Sequence, residues 1–265
     1  MSSIDRAMRI LDIIAGEPEG VRVTDMATTL QLNRAIPHRV LAELIELGYV
    51  VQNPTTERYR ATFKLGSLGL RQLETAGIPR WSRDELDALA ATSRELVRLA
   101  VVSGTVLRWV AKAQGANSAL IIDSGSGTDV AIHATASGKA WLSTLPPDGA
   151  EALLVARGLD PKTPHTGTDL RRVMADIAHA RALGYAVIHE EMEVGISAIA
   201  APIVPPESPD GRGVATVSIA GPSARLTPPV LLEFAPALLA TACKLAEQWH
   251  VYEYLAALSG PLGGS

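Results

Sequence analysis

The sequence predicts an α+β protein with two domains: an N-terminal winged helix-turn-helix and a larger C-terminal domain of mixed helices and strands. Two observations predict the N-terminal domain. Residues 24–39 have the pattern of two short helices joined by a tight turn, and two strand-like segments follow them. The third observation is size, because 265 residues of which 47% are hydrophobic and 20% charged can bury two separate cores.

The first elements flank the helix-turn-helix on both sides. Ahead of it, apolar residues recur at helical spacing: Ile4, Ala7, Met8, Ile10, Leu11 and Ile14. After it, residues 49–51 and 58–61 are strand-like and are separated by the turn residues Asn53 and Pro54. This order is that of a winged helix-turn-helix, whose second helix enters the major groove of DNA.

The second helix of the motif has an apolar face and a cationic face. If Asn33 caps this helix, its inward stripe is Ile36, Val40, Leu44 and Leu47, with Pro37, Leu41 and Ile45 beside it. Pro37 lies just past the first turn, where its missing amide costs least. The predicted DNA-binding residues are Thr24, Asn33, Arg34, Ala35, Pro37, His38, Arg39, Arg58 and Arg60. Arg34 and Arg39 are the strongest candidates for contacts, and an ordinary solvated helix face is the alternative.

The distribution of charge limits which kind of DNA-binding protein this chain can be. The chain has a net charge of -4, and its first 63 residues hold seven arginines against eight acidic residues. Such a balance excludes a protein that coats nucleic acid indiscriminately. The basic groups are instead local, because no acidic residue lies between Gln31 and Ala42.

The next segments predict a connection and then an α+β domain. Leucines in residues 63–72 predict a linker helix, and residues 76–79 are the predicted hinge. A capping-box pattern at 82–85 predicts a helix from Asp84 to about Leu99. The other predicted elements are strands at 106–113, 119–122, 185–189, 196–203 and 214–220, and helices at 137–145, 148–157, 168–183 and 229–258.

Small residues alternate along two of the predicted strands. Ser218 and Ala220 share one face of their strand, and Ala198 and Ala200 share one face of another. These faces either border a cavity or pack closely on a helix, and the pattern leaves both possibilities open. Residues 136–138 open a predicted helix, whose free amides would favour an anion such as a carboxylate.

Four segments resemble the IclR family of bacterial transcriptional regulators. They are the helix-turn-helix with His38-Arg39, residues 133–140, residues 184–191 with Gly195 and 200–203, and residues 218–222. The resemblance implies a winged-helix DNA-binding domain, a GAF-like effector-binding domain, and a homodimer or dimer of dimers on a promoter. The expected boundaries are 1–62 for the first domain, 63–80 for the linker helix and hinge, 81–258 for the effector-binding domain, and 259–265 for a disordered tail.

The resemblance also implies where an effector binds. It places the pocket on Ala136, Ser137, Ile188, Ala198, Ser218 and Ala220, and Gly138 joins these candidates because it stands in the same helix start. Ile188, Ala198 and Ala220 replace the Asp, Cys and Ser that are frequent in the family. These apolar replacements favour an effector with an aromatic or apolar body and one carboxylate or amide end.

These features predict a ligand-responsive repressor of a catabolic operon rather than an enzyme. The expected partners are double-stranded operator DNA with pseudo-palindromic half-sites and a small organic effector, and RNA polymerase is a further candidate. No metal or other cofactor is expected. No segment resembles a signal peptide or a membrane span, so the cytoplasm is the expected location.

Other interpretations stay open at this stage. An enzyme could use His189, Glu190 and Glu191 as an acid/base or metal cluster, although neighbours on a strand point to opposite faces. An architectural DNA binder would need no ligand. Cys243 is expected in the core, because it lies in the apolar pattern of the last helix. Trp109 and Trp141 either line the pocket or are structural, and residues 124–127 are expected to form a flexible loop.

Overall fold

The computed structural model describes residues 2–117 and 130–249. They form two compact units that divide between Thr75 and Ala76. None of the described helices is both long and apolar enough to cross a membrane.

The N-terminal unit is a winged helix-turn-helix. Its elements are α1 (Ser3–Ala15), α2 (Val23–Thr29), α3 (Ala35–Glu46), β1 (Val50–Gln52), β2 (Tyr59–Ala61) and α4 (Phe63–Thr75). The two strands pair antiparallel and form the wing. Ile10 of α1, Met26 of α2 and Leu41 of α3 are fully buried in one core. The helices therefore fix the orientation of α3, and the fold agrees with the sequence prediction.

The C-terminal unit is an α+β domain around an antiparallel sheet. Its elements are α5 (Ile78–Ser93), β3 (Leu96–Ser103), β4 (Val106–Gln114), α6 (Ala136–Leu142), α7 (Pro147–Arg157), α8 (Leu170–Leu183), β5 (Ala186–His189), β6 (Ile196–Ile203), β7 (Ala215–Pro222), α9 (Pro228–Glu233) and α10 (Ala235–Glu247). The described strands are ordered β4-β3-β7-β6-β5. Helices α5 and α10 pack on the sheet, as does α6, with α8 beside α6.

Small side chains let α6 approach the sheet closely. Ala136 and Ala140 of α6 pack against Ala198 and Ala200 of β6 and Ala220 of β7. The alternate positions of these strands, such as Ile199, Val217 and Ile219, are also fully buried. Both faces of the central strands are therefore covered, and the strands are nearly continuous apolar runs.

The helix predicted from Asp84 to about Leu99 is wrong at both ends. The structure starts α5 at Ile78 and ends it at Ser93, and β3 begins at Leu96. Ser82 is not a cap, because its Oγ donates to the carbonyl of Ile78 inside the helix. The strand was missed because it is buried on both sides, and periodicity alone does not separate such a run from a buried helix.

The C-terminal prediction also needs correction. The single helix predicted over 229–258 is two helices, α9 and α10, which meet at Phe234. Cys243, which was expected in the core, is exposed. The predicted strand 119–122, the loop 124–127, the end of the last helix beyond Trp249 and the tail 259–265 lie outside the described residues.

Candidate functional site

The first candidate site is the outer face of α3. Arg34, Ala35, His38 and Arg39 are exposed and form what we call the α3 surface. Asn33 was expected to cap this helix, but the N-cap position is Arg34, which makes no side-chain capping bond. Asn33 lies one residue earlier, where its Oδ1 accepts a hydrogen bond of 3.0 Å from the amide of Ala35.

The inner face of α3 is rotated slightly from its predicted position. Its buried residues are Pro37, Val40, Leu41 and Leu44. Leu47, which was predicted to point inward, is 57% exposed. Pro37 is therefore part of the core and not of the exposed face of α3.

The arginines of α3 and of the wing have different surroundings. Arg34 and Arg39 make no side-chain hydrogen bond or ion pair with any residue that the structure describes. Arg58, in contrast, donates from Nη1 to the carbonyl of Gly20 at 2.6 Å. Arg60 lies 3.2 Å from Glu19. The α3 arginines are therefore available to an external partner, whereas the wing arginines already bind within the domain.

Thr24 is the remaining predicted DNA-binding residue. It is exposed on the first turn of α2, where its hydroxyl is 3.2 Å from the carboxylate of Asp25. This neighbouring negative charge disfavours a phosphate at Thr24.

The second candidate site is a cavity of about 150 Å³ in the C-terminal unit. Its walls come from β3, β4 and β7, from the start of α6, and from β5, β6 and the loop between them. The lining residues are Arg98, Trp109, Val130, Ala131, Thr135, Ala136, Ser137, Ile188, Met192, Glu193, Ile196, Ala198 and Ser218. The space is comparable to that of a protein cavity that holds one benzene ring, roughly 150 Å³.

The structure brings together five of the seven residues predicted for this site. Ala136, Ser137, Ile188, Ala198 and Ser218 line the cavity, whereas Gly138 and Ala220 do not. The amide of Gly138 donates to Thr135 Oγ1 at 3.0 Å, so it is not available to an anion. Ala220 packs in the alanine cluster beneath α6. The sequence pattern left two roles open for the small residues of β6 and β7, and the structure shows both. Ala198 and Ser218 border the cavity, whereas Ala200 and Ala220 pack against α6.

Gly138 has a packing role. A Cβ atom at this position would lie 2.3 Å from the Cα and the carbonyl oxygen of Ile132, which are backbone atoms that cannot easily move. Only glycine therefore allows α6 to approach the backbone of Ile132 this closely. Ile132 directly follows Val130 and Ala131, which line the cavity.

Arg98 is one of the lining residues that sequence analysis missed, together with Val130, Ala131, Thr135, Met192 and Glu193. Arg98 lies on β3 directly opposite Ser218 on β7. Its guanidinium carbon is 3.9 Å from the ring centroid of Trp109, an arrangement typical of a cation–π contact. Burial lowers the pKa of Arg98 to about 10, so its side chain remains charged at neutral pH. Trp109 is thus a cavity residue, whereas Trp141 belongs to the core.

Several polar atoms of the cavity wall have no partner. The Nε of Arg98 and the hydroxyls of Ser137 and Ser218 are buried without a hydrogen bond among the described residues. Buried polar groups are normally paired, because an unpaired one costs about 1–3 kcal/mol. The wall therefore offers hydrogen-bond donors beside apolar surface from Val130, Ile188 and other side chains.

A buried lysine connects the start of α6 to the loop beside the cavity. Lys139 is 1% exposed, and its Nζ lies 2.8 Å from carboxylate oxygens of both Glu191 and Asp176. Glu191 directly precedes Met192 and Glu193, which line the cavity. This ion-paired lysine therefore holds the loop in place.

The three residues of the alternative enzymatic cluster do not all face one another. Glu191 faces Lys139, whereas His189 Nδ1 is 2.8 Å from Ser197 Oγ. His189 Nε2 and Glu190 Oε1 are 3.9 Å apart. Among residues 2–117 and 130–249, no group of three or more ligating side chains could hold a metal ion.

Comparison with known families gives a consistent result over most of the chain. Residues 71–247 match the family model described as the bacterial transcriptional regulator IclR C-terminal domain, and residues 3–54 match the IclR helix-turn-helix domain. The chain is 29% identical to the HTH-type transcriptional regulator BhcR of Paracoccus denitrificans over 247 residues, which cover 92% of this chain and 86% of BhcR.

Solved structures agree with these matches. The crystal structure of the Thermotoga maritima IclR protein is 28% identical and superposes with a TM-score of 0.70, covering 93% of this chain and 98% of that chain. A second similar structure is the inducer-binding domain of a PobR double mutant from Acinetobacter in complex with 3-hydroxybenzoic acid. It is 25% identical, has a TM-score of 0.58, and covers 64% of this chain and 98% of that chain.

Proposed function

The chain belongs to the IclR family of bacterial transcriptional regulators, and we propose that it represses a catabolic operon by binding a pseudo-palindromic operator through the α3 surface. The observation that carries this proposal is the exposed pair Arg34 and Arg39, which has no partner in the part of the chain that the structure describes. Such groups suit phosphates and base edges in a major groove. The proposed role has no catalytic step and places the protein in the cytoplasm, where the operator DNA is.

Selection from random duplexes tests the DNA-binding part of the proposal. Full-length protein should enrich a sequence with two related half-sites about one helical turn apart, because a two-fold symmetric dimer presents two α3 helices. Binding of the selected duplex should weaken as salt concentration rises. Enrichment of no sequence, or equal retention of all duplexes, would contradict the proposal.

The proposed effector is a small molecule with an aromatic or apolar body and one polar end. Two observations support this choice: the apolar wall that includes Ile188 and Ala198, and the 3-hydroxybenzoic acid bound by the similar PobR domain. Calorimetric titration with benzoate-type acids, pyruvate and glyoxylate distinguishes the ligand classes. Tighter binding of pyruvate than of every aromatic compound would contradict an aromatic effector.

A homodimer, or a dimer of dimers, is the proposed assembly. Helix α4 buries no side chain, and its Phe63 and Leu70 are 95% and 63% exposed. Ile4 and Met8 of α1 are also exposed. Exposed apolar residues in this number favour an interface between copies. Leu70→Glu should therefore shift the sedimentation of the protein from dimer toward monomer, whereas Arg71→Glu beside it should have a smaller effect. RNA polymerase is a further partner that we propose for the DNA-bound protein.

A further inference from the structure

The cavity holds a cation that lacks a counter-charge. Arg98 lies within the wall of the cavity and makes no ion pair or side-chain hydrogen bond among the described residues. One face of its guanidinium is covered by Trp109. The N–H donors of a guanidinium lie along its edge, so the edge of Arg98 can still bind a ligand although Trp109 covers one face.

The groups beside Arg98 suit an oxyanion. Ser218 pairs with Arg98 on the neighbouring strand β7, and Ser137 lies at the start of α6. Each has a buried hydroxyl that finds no hydrogen-bond partner among residues 2–117 and 130–249. A carboxylate accepts several hydrogen bonds and binds a guanidinium through two parallel contacts. The same three side chains would leave donors unpaired against an apolar group.

We propose that Arg98 is the anion-binding residue of this cavity and that it selects a one-ring carboxylic acid, whose carboxylate it binds together with Ser137 and Ser218. The proposal rests on the proposed effector-sensing function and adds the residue that determines ligand specificity. The cavity volume of about 150 Å³ limits the apolar part to about one ring.

The other charged residue of the lining is Glu193. It is exposed and makes no ion pair with Arg98 within the described part of the chain. Its negative charge opposes an anionic ligand, although solvent screens the repulsion. The carboxylate of the ligand is bound through Arg98 in spite of this repulsion, so Glu193→Gln should make benzoate binding stronger.

Calorimetry on the full-length protein with benzoate and benzamide tests this proposal. The two probes have nearly the same shape, but only benzoate is charged. Wild-type protein should bind benzoate about tenfold to hundredfold more tightly than benzamide, as expected for a hydrogen-bonded charge pair. Arg98→Gln should reduce this ratio to near one, and Arg98→Lys should keep part of it, because lysine retains the charge without the planar fork.

Arg94→Gln is the matched control, because Arg94 is exposed just before β3 and its loss also removes one positive charge. This variant should keep the wild-type ratio. If Arg98→Gln does not fold, Arg98→Lys still decides the question, since it should weaken benzoate binding and leave benzamide binding unchanged.

Three results would overturn the assignment of Arg98. They are a wild-type preference for benzamide, an unchanged ratio in a folded Arg98→Gln variant, and no binding of either probe to the wild type. An operator-binding assay on the same preparation separates these results from failure of the proposed function. If the protein retards its selected operator in a gel, the proposed DNA-binding function stands and only the assignment of Arg98 is overturned. If the protein binds no DNA sequence, the proposed function itself fails.

Discussion

Arg98 and Arg225 differ in what faces their guanidinium groups. Arg225 binds Glu95 through two hydrogen bonds, of 2.6 and 2.9 Å, and Glu95 is 5% exposed. The hydrogen bond to Glu95 raises the pKa of Arg225, whereas burial lowers the pKa of Arg98. The raised pKa of Arg225 means that its protonated form stabilises the fold. The lowered pKa of Arg98 means that its protonated form destabilises the fold, at every pH below about 10.

Replacing each of these arginines with methionine should therefore have opposite effects on stability. Arg98→Met removes an unpaired buried cation and should raise the free energy of unfolding by about 1 kcal/mol without ligand. Arg225→Met leaves the carboxylate of Glu95 buried without its partner and should lower the free energy of unfolding by about 3 kcal/mol. Urea denaturation at neutral pH measures both changes. A loss of stability in Arg98→Met as large as that in Arg225→Met would show that Arg98 is structural.

The two arginines of α3 are expected to play different roles in operator binding. Arg34 lies at the start of the helix and should contact phosphates, so Arg34→Ala should weaken binding to all sequences similarly. Arg39 lies further along the same exposed face, and Arg39→Ala should relax the preference for certain bases by about 1–3 kcal/mol. Gel shifts with the selected operator and with single-base variants separate the effects. Equal losses on every duplex for both variants would contradict the distinction.

The close contact between α6 and the segment before it predicts a second pair of substitutions. Gly138→Ala would force a methyl group into the backbone of Ile132 and should destabilise the protein by more than about 2 kcal/mol. Gly149 in α7 has open space around it, so Gly149→Ala should stabilise the helix by about 0.5–1 kcal/mol. Thermal unfolding measures both, and a stable Gly138→Ala variant would contradict the packing role of Gly138.

Several elements with local signals were predictable, although the capping-box pattern at 82–85 misplaced the start of α5. Elements defined by distant contacts were not predictable. Asn33 and the helical spacing after it predicted α3, and turn residues predicted the wing. Strand β3 has no local signature, because both of its faces are buried. Since β3 was predicted to be helical, nothing in the sequence placed Arg98 opposite Ser218. The sequence therefore predicted the apolar wall of the cavity but not its cation.

In the whole molecule, the proposed function couples effector binding in the C-terminal unit to operator binding in the N-terminal unit. If effector binding changes operator affinity by some factor, operator binding must change effector affinity by the same factor. We expect a factor of about 5–150, the usual range for such coupling. Benzoate titrations with and without operator, together with gel shifts with and without benzoate, measure the two factors. A clear inequality between them would mean that the two units do not act as one linked system.

Exposure of Cys243 makes such measurements practical. It is the single cysteine of the chain, and it lies on the outer side of α10, away from the buried positions Leu238 and Leu245. A maleimide fluorophore would therefore attach at one defined place on the native protein, with no engineered thiol. Its emission could report, in real time, how the labelled helix responds when metabolite or promoter fragment is added.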